Sequence, residues 1–561
     1  MRVLSFAALV AAIGCSKSPS AGDPASEPDP KGWTLSIDMS SLDRYVQPAD
    51  SATWPVAGIA SATEGLLSVT VDGAPVEIDG DGAFATSVPV MPGLTRVAIL
   101  ATDEAGHERK GDRTLLAARF LPDGDYNAEA AALRLDAAIL GAMSEGIASY
   151  AADVDIAGEI LSRNVLSQDS RCVTWPVSGQ QGTVTVGLVE DRGNLWLRIR
   201  VPSLYIFFRG SCQGLLSTIP IAGEMAGTLD IWTRLTARPP TGGGCLTAFD
   251  HTRPQVQVSG WRFDVWGTSG PLQSWIVEMF SGDKSTEART QLVTEVGQRA
   301  DQLLGGKLGN VSVFDRTSEL DLLGRPISLG LCVGALETAA NTLTARIAAR
   351  ATGAGTREAP GAPQIEGATI RPAAKELVLD ANLIGQLLFA SWRDGGLTRP
   401  ASDIDAGILQ ILMPGLAKEF PDALIAQVAI DAELPPLVRA TPDGPGDLEI
   451  ELGDLMIDVS IDGTRILRFG TVLTLVLELE PKDGALVPRV VDTRAKVALL
   501  DERHDGTDAA LEQAVELQIG SAAATLLGDG AAIALPDLPG LGAPIDVIPD
   551  AGGRFLRVKL Q

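Results

Sequence analysis

The chain has 561 residues, enough for several domains, and its 71 acidic against 45 basic residues give a formal net charge of −26. No Lys/Arg cluster interrupts that excess, which argues against nucleic acid or an anionic lipid surface as partner and for a neutral, apolar or cationic one. After the first fifteen residues, no apolar run reaches the roughly 20 residues that a membrane-spanning helix needs.

Met1 to Cys15 reads as a signal peptide. Arg2 supplies the charge, Val3 to Ile13 a short apolar stretch, and Gly14 and Cys15 the small residues at the cut. The order Ala12-Ile13-Gly14-Cys15 resembles the lipobox of bacterial lipoproteins, although Ala12 stands where that motif usually has Leu. The resemblance implies lipid attachment at Cys15, and Ser16 implies the outer membrane, with the folded part in the periplasm or outside the cell. Residues 16–32 are mostly Ser, Pro, Asp and Ala with little to bury, so a disordered tether is expected.

Residues 33–118 form the next unit. Turn signals at Val71-Asp72-Gly73, Asp79-Gly80-Asp81-Gly82 and Pro92-Gly93 separate short strands. In those strands Val69, Val71, Val76, Ile78, Phe84, Val88, Val97 and Ile99 supply alternating inward positions. The runs around Val69, Asp81 to Phe84 and Ala101 to Gly106 resemble bacterial immunoglobulin-like domains, which implies a β-sandwich used as a spacer or docking unit, its protein partner unidentified.

From Ala128 to Tyr150, Leu135, Ile139, Met143 and Ile147 recur every four residues and predict an amphipathic helix. A β-rich region follows to about Trp266. Pro271 to Leu304 returns to helical spacing, through Leu272, Ile276 and Met279 or Phe280 first and then Ala288, Leu292, Val296, Ala300 and Leu303, with Gly305-Gly306 as its stop. Leu329 to Ile347 is partly strand-like, and 351–370 reads as a Gly/Ala/Pro linker. The last third repeats the order. Leu377 to Trp392 is a strand entering a helix, and Ile408 to Phe420 is a short helix ended by Pro421. Strands are expected at Leu424–Ile430, Leu448–Ile461, Val472–Leu479 and Ile545–Leu560, with an apolar helix at Ala509–Leu527. Residues 128–350 and 371–561 thus each combine a long antiparallel sheet with a long amphipathic helix, which predicts a duplicated α+β architecture.

Beyond Cys15 there are four cysteines, Cys172, Cys212, Cys245 and Cys332, an even number that favours disulfides in an exported chain. Gln181–Val189 and Asn194–Phe208 are apolar runs joined by a hairpin turn at Glu190 to Asn194. Cys172 and Cys212 are equidistant from Arg192, so a bulge-free ladder sets them opposite each other and leaves Cys245 for Cys332.

Catalytic patterns are missing. There is no GxSxG, HExxH, GxGxxG after a strand, or P-loop, and His107, His251 and His504 are far apart beside charged or turn residues, as surface histidines are. No enzyme chemistry, cofactor or metal is expected. What stands out is apolar surplus on two helices, with Trp275, Ile276, Met279 and Phe280 on one and Ile384, Leu387, Leu388, Phe389 and Trp392 on the other. Such stripes arise from packing on two sides, or from a tunnel that takes acyl chains, where burial is worth about 0.8 kcal/mol per CH₂.

Leu377 to Trp392, Leu412-Met-Pro-Gly-Leu-Ala-Lys-Glu-Phe-Pro421 and Leu434-Pro-Pro436 resemble the C-terminal half of the bactericidal permeability-increasing, lipopolysaccharide-binding and cholesteryl ester transfer proteins. Trp275 to Phe280 with the helix to Leu304 is similar to the end of that family's N-terminal half. The resemblance implies a boomerang of two tandem tubular lipid-binding barrels, each a long helix wrapped by a curved antiparallel sheet. It implies that Trp275, Met279, Leu292 and Val296 line one tunnel and Leu383, Leu387, Leu388 and Phe420 the other. The family's basic N-terminal tip has no counterpart cluster here, and no Cys lies in Pro271–Leu304 for its characteristic disulfide. The expected function is therefore a membrane-anchored protein that binds, and by extension transfers, lipid acyl chains. The alternative is a surface interaction or adhesion protein in which the same fold is filled.

Overall fold

Burial alternates residue by residue over much of the chain, and the computed structural model is accordingly about 60% strand and 15% helix. The described residues lie between 34 and 561. Residues 1–33, 148–154, 267–284, 309–315, 520–532 and 535–541, with shorter stretches elsewhere, are outside them. The signal peptide, Cys15 and the tether therefore lie outside the described residues. The expected α+β class, with each long helix wrapped by a sheet, is overturned by a mostly β molecule of curled sheets and short helices. The longest described helix, Ser285–Leu308, shows why. It buries one stripe, Leu292, Val296, Ala300 and Leu304, and exposes Glu287, Thr290, Thr294, Gln298 and Asp301. A helix with one apolar stripe has one face to hide, so it lies on a sheet.

The first unit is a sandwich. A three-stranded sheet, Leu35–Asp38, Thr53–Ala62 and Ala83–Pro89, faces a five-stranded sheet formed by Tyr45–Val46, Glu108–Ala117, Gly93–Asp103, Leu66–Val71 and Ala74–Val76. Trp54, Val56, Val97, Ile99 and Leu115 fill the space between them. Asp72 and Gly73 both take positive φ, the two-residue hairpin turn whose twist matches its strands.

A central seven-stranded sheet gathers segments from across the remaining sequence. Its order is Arg316–Leu322, Arg325–Ala339, Thr342–Thr352, Asn127–Arg134, Glu376–Asp380, Phe555–Leu560 and Pro544–Pro549. Asn127–Arg134 corrects the helix expected from Ala128: it is an inner strand, and the helix, described over Ala137–Ile147, starts only after it. Ala130, Ala131, Ala132 and Leu133 are all buried because this strand is covered on both faces, and small apolar residues suit that place. Asp136 then starts the helix, its Oδ1 accepting from the backbone N–H of Ala138 and Ile139, both at 3.0 Å.

Two further sheets flank the centre. The first curved sheet takes seven strands between Ser167 and Trp266, including two of twenty residues each, Asn194–Gln213 and Thr218–Ala237. Helices Ala137–Ile147, Ile156–Leu161 and Ser285–Leu308 pack on it. The expected stop at Gly305-Gly306 is passed, since that helix continues to Leu308. The second curved sheet takes seven strands between Arg399 and Ala534, and most of the helix expected at 509–527 lies outside the described residues. Within the expected linker, Ala362–Gln364 pairs with Arg119–Leu121.

Both disulfides join the cysteines that the hairpin reading pairs, Cys172 with Cys212 and Cys245 with Cys332. The register reaches Cys212 by a route different from the one expected. The hairpin folds between Arg192 and Gly193, with Asp191 opposite Asn194, so an unbroken ladder would set Cys172 one residue beyond Cys212. A bulge between Pro176 and Ser178 takes up that residue.

The sandwich is docked on the second curved sheet, far away in sequence. Arg44 pairs with Glu433 and, at 2.8 Å, with Asp454, Arg109 pairs with Asp501, and Lys110 meets Glu512 at 2.8 Å. Leu116 and Ala118 share a small core with Leu434 and Leu437.

Candidate functional site

Single-residue alternation along Asn194–Gln213 turns Leu195, Leu197, Ile199, Val201, Leu204, Ile206 and Phe208 to the inner face of the first curved sheet. Register places Met225 of the next strand beside Ile206, and Phe263 beside Met225. At the end farthest from the hairpin turn, Phe208 stacks on Phe263 at 5.3 Å between ring centroids, and Phe263 on Trp261 at 6.3 Å. Phe208 is fully buried, but Phe263, Trp261 and Val265 are only half-buried although they point inward. Around the Cys172–Cys212 disulfide, Ile221, Ile219, Phe263 and Val265 form a small cluster, which Phe263 joins to the main core. The Trp261 indole N–H donates to Ser285 Oγ at 3.0 Å and ties this aromatic ladder to the start of helix Ser285–Leu308. The inner surface is thus apolar, aromatic and incompletely covered, which is what an acyl chain needs.

Of the residues expected to line the first tunnel, Leu292 and Val296 are buried where their helix meets the sheet. Trp275 and Met279 lie outside the described residues. The ladder of Phe208, Trp261 and Phe263 was not singled out from sequence. Its signal is the inward parity of two strands, and that parity becomes visible only once their register is known.

The residues expected to line the second tunnel are placed differently. In helix Ala381–Arg393 twelve residues, Ala381 to Trp392, are all buried. Leu383, Leu387 and Leu388 belong to the main core, and Phe420 is half-buried at its margin. The helix lies between the central sheet on one side and Ala362–Gln364 with Leu437–Ala440 on the other. Most of its polar groups are matched to that enclosure, the buried Gln386 Oε1 excepted. Asn382 binds both backbone groups of Ile365, the Trp392 indole N–H donates to the Ala432 carbonyl at 2.7 Å, and Ser391 donates to the Leu322 carbonyl at 3.0 Å. The wide apolar stripe here serves packing on two sides.

None of the three histidines is a free surface group. His107 Nδ1 lies 2.7 Å from Asp103, His251 Nε2 3.1 Å from Asp301, and His504 Nε2 2.6 Å from Glu419. No group of three metal-ligating side chains converges among the described residues.

Glu419, the last residue of helix Pro414–Glu419, also accepts from Arg503 Nε at 2.8 Å. Arg503 first, and His504 with it, holds this carboxyl below the usual carboxylate range. The unfolded chain then binds more protons than the fold as pH falls below about 4.3, so the stabilisation is present above that pH and is lost as pH drops through the lower folded value. Glu419→Gln is expected to flatten the acid limb of a melting-temperature profile between about pH 5 and 3. An unchanged limb would show that the pair contributes nothing to acid stability.

No protein-family model matches this chain, and no curated protein matches it. Among solved structures, the chain is similar to a lipopolysaccharide binding protein at 12% identity and a TM-score of 0.38, over 78% of this chain and 99% of that one. It is also similar to P47 of Clostridium botulinum E1 at 7% identity and a TM-score of 0.23, again over 78% and 99%. Overlays at these scores do not establish a common fold.

Proposed function

We propose that this chain is an exported, membrane-anchored protein that binds lipid acyl chains against the inner face of its first curved sheet. The observation that carries the reading is the inward-pointing aromatic ladder in which half-buried Phe263 and Trp261 continue from fully buried Phe208. Each methylene laid on that surface would gain about 0.8 kcal/mol from leaving water, and no ionic partner is required. The two disulfides fit a fold completed in an oxidising compartment, and the lipobox-like Ala12 to Cys15 supplies the anchor, for which the outer membrane is proposed. No catalytic role is assigned. Transfer between membranes would follow from reversible holding of the same chains.

The second reading, an interaction protein with a filled fold, is favoured for the last third by the burial of every residue from Ala381 to Trp392. Native mass spectrometry of the protein purified gently from its own envelope, followed by lipid extraction, tests the choice. About one retained lipid per chain is expected, and Phe263→Asp should abolish retention while Leu67→Asp, at an exposed site on the sandwich, should not. A chain that stays empty after incubation with membrane lipid would leave the interaction protein as the reading.

A further inference from the structure

The same strands have a second face. Opposite the apolar interior, the outward positions from Trp196 to Arg209 hold Trp196, Arg198, Arg200, Tyr205, Phe207 and Arg209. Register adds Arg234 beside Trp196, Trp232 beside Arg198, Arg262 two strands from Tyr205, and Trp266 two strands from Arg209. Trp175 lies beside Arg209 on its other side, so one row across four strands reads Trp175, Arg209, Ala222, Trp266.

Over these rows five arginines meet three acids, Glu224, Asp230 and Asp264, a local surplus of two positive charges in a chain whose net charge is −26. Arg198 is committed to Asp230 at 2.6 Å and lies over the Trp232 ring. Arg200, Arg209, Arg234 and Arg262 are exposed and have no acidic partner among the described residues. Glu224 accepts from the Tyr205 hydroxyl at 2.6 Å. Trp175 and Trp266 keep 38% and 41% of their surface in solvent and Val177, on the bulge, 45%, while Phe207 packs on Trp266. A soluble face of an acidic protein has no need of this composition.

We propose that this outer face docks on a phospholipid bilayer carrying anionic headgroups. The four unpaired guanidiniums supply planar forks that match phosphate oxygens two at a time. Indole rings prefer the headgroup level of a membrane, with the ring in the apolar margin and the N–H toward water. Trp175 and Trp266 stand three strand spacings apart, about 14 Å, with Arg209 between them, so that cation and rings reach one plane together. A glycan would use the rings but gains nothing from Val177, and charge complementarity with nucleic acid would not call for exposed aliphatic surface. The docking is independent of whether the inner face holds lipid. It reverses the expectation, drawn from net charge alone, that anionic surfaces are repelled.

The test is co-sedimentation of the full-length chain carrying Cys15→Ser, so that no attached lipid contributes, with vesicles of phosphatidylcholine containing about 30 mol% phosphatidylglycerol. Binding is expected at low salt, falling steeply as salt is raised. Arg209→Glu with Arg262→Glu should lower the partition coefficient roughly 30-fold or more, and Trp175→Ala with Trp266→Ala roughly tenfold at any salt. All four sites are on the surface, and an unchanged melting temperature would confirm that each variant is folded. Failure of the parent chain to bind, or equal binding by both variants, overturns the proposal, as does retention on an anionic polysaccharide matrix by a chain that ignores vesicles. Lipid extracted from the arginine variant separates this outcome from the inner-face reading, because retained acyl lipid should not change.

Discussion

Asp380→Ala is expected to cost about 3–5 kcal/mol of folding stability, read as a fall in the denaturant midpoint without loss of the cooperative transition. Asp380 is fully buried at the junction of strand Glu376–Asp380 and helix Ala381–Arg393, and it does two things there. Its Oδ1 caps the helix by accepting from the Asn382 N–H at 2.9 Å. Its Oδ2 accepts from Arg554 Nη2 at 2.8 Å and Nε at 3.1 Å, and from the Asn127 amide at 3.3 Å. These partners lie 174 and 253 residues away in sequence, so one carboxylate joins three neighbouring strands of the central sheet, Asn127–Arg134, Glu376–Asp380 and Phe555–Leu560, at their ends. Burial pushes its pKa up in spite of Arg554, and the cost of hiding the charge is therefore only partly offset. Truncation removes that cost but leaves a half-buried arginine and a buried amide with fewer acceptors, which is the larger penalty. Arg554 keeps Glu129 at 2.9 Å, so the loss should sit below that of a wholly orphaned cation. Asp380→Asn should lose less than Asp380→Ala. If Asp380→Ala unfolds within about 1 kcal/mol of the parent, the central sheet is held by packing alone.

The strand–helix junction at Leu377 to Trp392 and the small sandwich were legible because their information is local. Hydrophobic period switches at Asp380, and paired turn residues mark the hairpins of the sandwich. The central strand Asn127–Arg134 was not legible, because its alanines are compatible with either period and only its two neighbours in the sheet, Thr342–Thr352 and Glu376–Asp380, decide between them. Helical spacing through Leu292 and Val296 placed a helix where Ser285–Leu308 stands, but the pattern does not say whether a sheet wraps it or underlies it. For helix Ala381–Arg393 the stripe was wide, and what filled the other side was a linker segment, Ala362–Gln364, that has no periodicity to announce it. The Arg/Trp face was invisible for a further reason. Trp175, Arg209, Arg262 and Trp266 are scattered over nearly a hundred residues, and no window along the chain contains the charge surplus that the register assembles.

Removal of the Cys245–Cys332 disulfide by Cys245→Ala with Cys332→Ala is expected to cost about 4–5 kcal/mol, the other large effect, and more than loss of Cys172–Cys212. Cys245–Cys332 closes a separation of 87 residues and Cys172–Cys212 one of 40, and loop-closure entropy rises with the logarithm of that length. The lengths alone separate the two by under 1 kcal/mol. Position widens the gap. Cys172–Cys212 sits inside a ladder already aligned by its hairpin, whereas beside Cys245 the Leu246 N–H donates to the Val333 carbonyl, at 2.7 Å, as the local tie to the central sheet. The closed loop contains strand Gln255–Trp266 and helix Ser285–Leu308, the elements that carry Phe263 and Trp261 over the inner face. Without the bond these elements should open before the rest, seen as early proteolytic cleavage between 245 and 332 while the second curved sheet stays protected. Equal cleavage throughout, or a larger midpoint shift for the Cys172–Cys212 pair, would contradict this. The fold's dependence on oxidation would then be concentrated in the half that presents the uncovered apolar ladder, since the last third holds its helix by packing on every side and contains no cysteine.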